Sequence, residues 1–559
     1  MKKFINLFRF SVLALIILVL SSCGKTDNPF NVIPENATVV MVANGKSLSE
    51  KAGIENFTTT NTYALLQKEV DNDDMEMFKT FEPIFANTQE SGIDFKKDFF
   101  FFMYKKEGVN FLSFYFNLLD ATKFEALVNK INEADDNGLT ILKDGIYSYL
   151  WNEEDDSPFL LWNDKQLIFT ISTNGEMTKD KYLQETKGLL AQKVENSINK
   201  NEDFAKFIKN QKDINMWMDY SVFYDNLPPM QKMMIQSNLP YDMTGTLIHS
   251  YVDFQNGKVE LDYDVVMNDE MKSFMEDNKI IKDKFDTDLL SIIPEKSFAN
   301  FSVAIDFLGY FNLIKDMMEE NQQNIDNFDQ QFKAQTGMTI KEALNEFSGE
   351  ITAGVHRIAI EEVEKTDYMA YYQSGGQGDI NEFKKLVKEP VFYYNVAMAM
   401  NNDKLFNVLV QNIGELAKKT GDYYTIENSS INAYFGLFGK NLIYTNDKDL
   451  IENIAAGKMD GNSLKDSEVA SHLDDFPAYS FIDFDLDNYP QDVKEALETE
   501  MGSKNYLGFS KIFSSYKKIE IMPKSTSEAA ILFWLKDDSR NSLEVILKGF
   551  DENIQALAD

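Results

Sequence analysis

The chain repeats its own pattern, in order, over most of its length, so whatever fold it adopts has to be buildable twice. Ile33-Pro34-Glu35-Asn36-Ala37 returns as Ile293-Pro294-Glu295-Lys296-Ser297 at an offset of 260, and each copy runs into an apolar, strand-like segment. Phe124-Glu125-Ala126-Leu127-Val128-Asn129-Lys130-Ile131 returns as Phe406-Asn407-Val408-Leu409-Val410-Gln411-Asn412-Ile413, with apolar residues at one helical spacing. Each follows an apolar strand ending near an asparagine, Asn117 or Asn395. Lys165-Gln166-Leu167-Ile168-Phe169-Thr170 is matched by Lys440-Asn441-Leu442-Ile443-Tyr444-Thr445, and Met218-Asp219-Tyr220 by Ile482-Asp483-Phe484. Asp225-Asn226-Leu227-Pro228 then pairs with Asp487-Asn488-Tyr489-Pro490. A tandem duplication accounts for this ordered series. One copy is expected at 32–275 and the other at 291–551, joined by a short charged link at 276–290.

Within each copy, helical periodicity alternates with strand-like runs, which predicts an α+β fold of mostly antiparallel sheet with packed helices. The run 99–104 is aromatic enough to bury both faces, whereas Gly257-Lys258-Val259-Glu260-Leu261-Asp262-Tyr263-Asp264-Val265 alternates and should keep one face wet. A closing strand pair is expected at 251–266 and again at 529–548. The helix over 123–131 should lie on its sheet through Phe124, Leu127, Val128 and Ile131. Offsets between the copies grow from 245 at Gly92 and Gly337 to 282 at Phe124 and Phe406, which places an insertion near 357–390 in the second copy. It holds Ser374-Gly375-Gly376-Gln377-Gly378-Asp379, a flexible hairpin tip or loop in which Gly375, Gly376 and Gly378 form a candidate binding loop.

The N-terminus supplies an address. Lys2, Lys3 and Arg9 precede the apolar run 10–20, broken only by Ser11, and Leu20-Ser21-Ser22-Cys23 follows. This reads as a lipoprotein signal peptide over 1–22, cut before Cys23, with Cys23 lipidated and 23–31 as a tether. A run of about eleven residues is roughly half of the ~20 that a spanning helix needs. Cys23 is the only cysteine, leaving none for disulfides or structural zinc. The expected location is the cell envelope, anchored by lipid in the outer membrane, with the periplasmic or surface face left open.

Charge narrows the partners further. Ninety acidic residues against 55 basic give −35, and removal of the leader's three bases gives −38. Phosphate binding needs a basic footprint, so nucleic acid is excluded as a partner. The membrane, through the lipid, and an envelope protein or glycan are the partners expected.

The lipobox, the acidic body and the Ile-Pro-x-x-Ala-x-Val-Val opening, followed by Asn44, Ser47-Leu48, Lys51 and Gly53, together resemble a family of Bacteroides-type lipoproteins of unknown function. The resemblance spans most of the mature chain and implies an envelope location and a duplicated architecture. It implies no active-site residue.

Catalytic signatures are sparse. His249, His356 and His472 are about a hundred residues apart and form no metal-ligand spacing. Asp483-Phe484-Asp485-Leu486-Asp487 starts like a calcium loop, but Asn488 stands where glycine is needed and Lys494 where a bidentate glutamate is needed. A half-exposed strand also yields such alternation. Ser514-Ser515-Tyr516-Lys517 fits S-x-x-K without its partner motifs, and neither a nucleophile elbow, a P-loop nor a dinucleotide fingerprint is present. The expectation is a non-catalytic binding or scaffolding protein with no cofactor. An envelope hydrolase using carboxylates and a carrier of lipid or another hydrophobic ligand are the alternatives.

Overall fold

A computed structural model describes residues 28–558 except 55, 71–74, 136–139, 152–158, 174–176, 226–229, 231, 233–242, 318–321, 376–378, 428–431 and 460–461. The described residues 28–232, 243–268 and 535–558 form one unit, and 269–534 form a second.

The first unit contains strands β1 (Ala37–Ala43), β2 (Phe99–Lys106), β3 (Val109–Asn117), β4 (Ile141–Asp144), β5 (Tyr147–Leu150), β6 (Phe159–Trp162), β7 (Gln166–Ser172), β8 (Ile214–Asp219), β9 (Leu247–Gln255) and β10 (Lys258–Val266). All pair antiparallel in the order β4-β5-β6-β7-β3-β2-β1-β8-β9-β10. The second contains β11 (Ala299–Ala304), β12 (Phe347–Thr366), β13 (Lys384–Met400), β14 (Lys418–Thr420), β15 (Tyr423–Glu427), β16 (Asn432–Phe438), β17 (Asn441–Thr445), β18 (Ala478–Asp483), β19 (Tyr516–Pro523) and β20 (Glu528–Leu535). Its order is β14-β15-β16-β17-β13-β12-β11-β18-β19-β20, the same arrangement strand for strand. The fold is α+β, and the two units repeat one antiparallel topology.

The segments matched in sequence fall at matched places. β7 lies between β3 and β6, as β17 lies between β13 and β16. The Ile-Pro openings are both tied down the same way: Ile33 O accepts Ile198 N (2.9 Å) and Ile293 O accepts Leu464 N (2.9 Å), while Pro34 bridges Ser197 and Pro294 bridges Ser463. Both isoleucines are fully buried. Asp219 and Asp483 each end their strand and accept a backbone N–H two residues on, from Ser221 (3.0 Å) and Asp485 (2.8 Å), so this acid starts the following turn.

Each sheet has one closed face. In the first unit Val40, Val42, Phe100, Phe102, Tyr115, Ile168 and Trp217 are buried beneath the short 3-10 turn Pro29–Val32 and the helices Lys179–Leu190 and Glu202–Lys209. The last of these starts where the Asn201 side chain accepts Asp203 N (2.9 Å) and Phe204 N (3.2 Å), satisfying two helix-end donors, and it buries Phe204 and Phe207 on one side. In the second unit Ala304, Ala397, Ile443 and Tyr479 lie in a core with Leu289 and Leu290 of the 3-10 helix Thr287–Ile292 and with Leu450, Ile454, Val469 and Leu473 of Lys448–Ala455 and Glu468–Asp475.

Four local expectations change. The helix Ala121–Asp135 places Phe124 and Val128 on the sheet beside Trp162 and Leu167, but its Leu127 and Ile131 pack into a separate cluster with Tyr63, Phe81 and Phe85. Its apolar stripe is therefore shared between sheet and helices. Asn395 lies inside β13, which continues to Met400; Asn117 pairs with Gln166, and it is Ala399 that pairs with the matched Asn441. The second closing pair is β19 and β20 rather than 529–548. Residues past Leu535 turn into the helix Ser542–Ala558, which belongs to the first unit instead of a copy spanning 291–551. There the Asp551 carboxylate accepts Asn61 N (3.1 Å), Thr62 N (2.7 Å) and Thr62 Oγ1 (2.7 Å), an N-terminal cap for the helix Asn61–Glu69 supplied from far along the chain.

Candidate functional site

Side chains alternate across a strand, so the buried residues of the first unit leave a second face to be accounted for. Register places Val265, Ile248, Met218, Val39, Met103, Leu112 and Ile171 in one row across seven strands of that face. The adjacent row is Tyr263, Ser250, Met216, Met41, Phe101, Phe114, Phe169 and Leu160. A third row begins with Leu261, Val252, Ile214, Ala43 and Phe99. Phe101, Phe114 and Phe169 touch in sequence at 5.8 and 5.9 Å between ring centres, and Phe99 stacks on Phe116 at 5.8 Å. Ser250 and the Tyr263 hydroxyl are the polar side-chain groups on these rows.

The closed face is the more polar of the two. It holds His249, Asn215, Tyr104 and the Ser113–Thr170 hydroxyl pair (3.0 Å). Most residues of these rows are neither exposed nor fully buried, but the helix Ala121–Asp135 covers one corner of the face: the third row continues through Phe116, Leu167 and Trp162, which pack with Phe124 and Val128, and Leu160 of the second row lies against the same cluster. An antiparallel sheet with one wet face normally puts polar residues there. Here the incompletely covered face is the apolar one, about 29 Å across from β10 to β7 at ~4.8 Å per strand. An apolar area of that breadth is a candidate binding surface. Met41, Met103, Met216 and Met218 lie together on it, and their unbranched thioethers adapt to a partner's contour. The matching face of the second unit runs Ile521, Ser480, Phe301, Ala353, Val396, Tyr444, Phe435 and Tyr424. Phe301 there is 52% exposed.

Several buried charged groups of the fold are held in structural ties. Asp213, at the head of β8, accepts Lys51 Nζ (2.7 Å), Ser47 Oγ (2.5 Å) and Phe254 N (2.6 Å), and its carbonyl accepts Asn44 N (2.8 Å). Asn44 in turn caps the helix Gly45–Ala52 by accepting Ser47 N (3.0 Å), and Gly53 ends that helix at φ +64, with Glu544 against its α-carbon where a side chain would collide. The Asn44, Ser47, Lys51, Gly53 motif thus clamps one helix to β8 and β9.

His249 sits on the closed face with Nε2 2.9 Å from Asp203 Oδ2 and Nδ1 3.3 Å from Asp264 Oδ2, and Asp203 also accepts Trp217 Nε1 (3.1 Å). Burial lowers its affinity for the proton, but hydrogen bonds to the two carboxylates more than reverse this and push its pKa up to about 9. Folding therefore gains from the protonated ring fully below the unfolded value near 6.5 and loses that gain as pH rises through about 9. With Asp264 35% exposed and so partly screened, the gain is about 2 kcal/mol. Denaturant midpoints should fall between pH 6.5 and 9 in the native chain and stay flatter in His249→Gln. A profile that the substitution leaves unaltered would remove His249 as its source.

At the same register in the second unit, Phe481 replaces Trp217 and its cross-strand partner is Glu520. That carboxylate accepts Tyr479 Oη (2.5 Å) and Trp534 Nε1 and pairs with Lys518 (2.7 Å). A cation between acids in one unit thus corresponds to an acid between donors in the other, so the repeat conserves a position in the fold and not a chemistry. His356 donates from Nε2 to Asp447 (3.0 Å), and although burial opposes it, the His356 and Arg357 hydrogen bonds hold the Asp447 carboxyl down at about 2. His472 stacks on Tyr479 at 4.8 Å.

Cys23, Gly376 and Gly378 lie outside the described residues. Gly375 follows the helix Tyr368–Gln373 at φ +85, with open space where a side chain would stand. Asp483, Asp485 and Asp487 do not form the half-exposed strand expected: β18 ends at Asp483, Asp485 caps the 3-10 turn Leu486–Asn488, and Asp483 accepts Asn488 Nδ2 (2.7 Å). Among the described residues, no group of three or more His, Cys, Asp or Glu is placed to hold a metal. Ser514 Oγ donates to Lys511 O (2.7 Å) in the manner of a helix end. No described helix is long and apolar enough to cross a membrane. The run Phe99-Phe100-Phe101-Phe102-Met103, read from the sequence as burying both its faces, and the alternate Met216 and Met218 carry the signal of this apolar face.

Comparison with solved structures returns crystal forms III and I of TP0453, each 8% identical, covering 47% and 46% of this chain and 90% and 87% of those chains, with TM-scores of 0.25 and 0.24. These likenesses carry no argument about fold or role. No curated protein matches the chain. A family model described as a domain of unknown function, DUF4836, matches residues 30–543, a span that takes in the Ile-Pro opening, both repeated sheets and the apolar faces, and the chain belongs to that family.

Proposed function

We propose that this is a lipid-anchored protein of the cell envelope, attached through Cys23, which binds an apolar ligand of the acyl-chain class along the second face of the first unit and performs no catalysis. The observation that supports it is the apolar face that runs in two rows across β7, β3, β2, β1, β8, β9 and β10 and in a third row from β10 to β2. An acyl chain needs apolar area and asks for no hydrogen bonds along its length, which is what these rows offer. Removing such area from water contributes roughly 25 cal/mol per Å². A glycan would need donors and acceptors on exposed rings, and Ser250 with Tyr263 supplies few. The methionines suit a chain of variable bend and length. Of the three classes weighed from sequence, this favours the hydrophobic-ligand carrier over a scaffold or a carboxylate hydrolase. Titration of the delipidated chain with a fluorescent long-chain fatty acid should show saturable binding. Absence of saturation, together with hydrolysis of an ester or glycoside substrate by the same preparation, would reverse the ranking.

A further inference from the structure

β12 and β13 pair without interruption from Arg357↔Tyr393 to Thr366↔Lys384, yet their sheet neighbours stop short: β11 reaches only Val355 and β17 only Asn395. Beyond Val355 the hairpin runs on as a two-stranded ribbon for about 36 Å at ~3.3 Å per residue. The counterpart β2–β3 hairpin turns at Lys106↔Val109 instead. The described residues of the tip are tied together: Asp367 caps the helix Tyr368–Gln373 by accepting Ala370 N (3.0 Å), Asp367 N donates to Phe383 O (2.7 Å), and Tyr371 sets its ring edge-on to Phe383 at 5.5 Å. These ties do not bury its apolar residues. Met369 and Tyr372 are each 71% exposed, with Tyr368 and Leu386 also well exposed.

Charge decides what such a tip fits. Residues 368–378 contain no charged side chain, in a chain where 26% of residues are charged. The nearest lysines are neutralised behind it, Lys385 on Asp367 (2.9 Å), Lys384 on Glu364 (2.8 Å) and Lys365 on Glu389. A protein interface of ordinary size buries about 800 Å² per partner, more than one turn of helix on a narrow ribbon presents. Tyrosine and methionine on the uncharged helix Tyr368–Gln373, with Asp379 and Glu382 exposed on the returning side of the tip, match the boundary between headgroups and acyl chains, where a ring sinks and its hydroxyl stays wet while charges remain in water.

We propose that Tyr368, Met369, Tyr372 and Leu386 form a membrane-touching tip that enters the interfacial layer of a lipid bilayer independently of the lipid on Cys23. With its lysines paired, the tip has no need of anionic lipid. The test is co-sedimentation of the full processed chain carrying Cys23→Ala with phosphatidylcholine vesicles, at low salt and at 0.5 M salt. Binding is expected at both, and Met369→Ser with Tyr372→Ser should reduce it at least tenfold while leaving the thermal midpoint in place. Because the apolar sheet face could also extract lipid, Phe101→Asp serves as the control and should sediment like the parent chain. Failure of the parent to bind vesicles, equal binding by the tip variant, or loss of binding with Phe101→Asp instead would each overturn the proposal.

Discussion

Asp213→Ala should destabilise the first unit by about 3–4 kcal/mol, the usual cost of leaving a buried ion pair with one member. The carboxylate is 2% exposed and is the common acceptor for Lys51, Ser47 and the Phe254 amide. Its removal leaves an ammonium, a hydroxyl and a backbone N–H short of a partner at the point where the helix Gly45–Ala52 meets β8 and β9. Lys51 keeps Asp253 at 2.9 Å, so the loss falls short of a fully orphaned charge. A fall of about 10 °C in the unit's thermal midpoint follows for a unit of this size. Adding Lys51→Met to Asp213→Ala should recover part of it, since replacing both charges by apolar groups removes the desolvation cost. Urea unfolding of the single and double variants measures this. A loss under about 1 kcal/mol for Asp213→Ala, judged against that range for buried pairs, would mean that the clamp is not the tie described.

The second large effect separates binding from folding at neighbouring positions. Phe101 points to the apolar face and Phe102 to the closed core, where it is fully buried. Phe101→Asp should weaken fatty-acid binding at least tenfold, because a carboxylate against an acyl chain must shed its water with nothing in return. The variant should still fold, since the new group stays within reach of solvent. Phe102→Asp places the same charge in the interior beside Val40 and should unfold the unit outright. Paired circular dichroism and ligand titration distinguish these outcomes, and equal loss of fold in both variants would show that the second face is ordinary core.

Much of this architecture was legible in the sequence because a repeat reports on itself. The Ile-Pro openings, Asp219 with Asp483, and Lys165 with Lys440 occupy equivalent places, since each answers a local demand that recurs in both units: a buried entry, a turn start, a central strand. The hairpin at 251–266 was visible from its alternation. The misreadings share a different cause. In 99–104 both faces are apolar, so the pattern says strand without saying which face is closed, and coverage depends on helices distant in the chain. Residues 542–558 were read partly as strand because Leu543, Val545, Ile546 and Leu547 cluster like one, while their helical docking depends on Asp551 meeting Thr62. Asp485 looked like a strand residue because capping and alternation both place acids two apart. Offsets placed an insertion near 357–390, where β12 and β13 run on as a ribbon, and glycine content pointed to Gly375 as the recognition element, whereas the exposed apolar side chains belong to the helix before it.

The most direct measurement is mass spectrometry of lipid released by organic extraction from the native protein, purified from its membranes in mild detergent, with the covalent chains on Cys23 remaining in the protein fraction. A ligand-binding face predicts non-covalent lipid near one molecule per chain, retained by the tip variant and lost in Phe101→Asp. Protein that carries no extractable lipid beyond the detergent blank, or carries the same amount in Phe101→Asp, would contradict the assignment of that face.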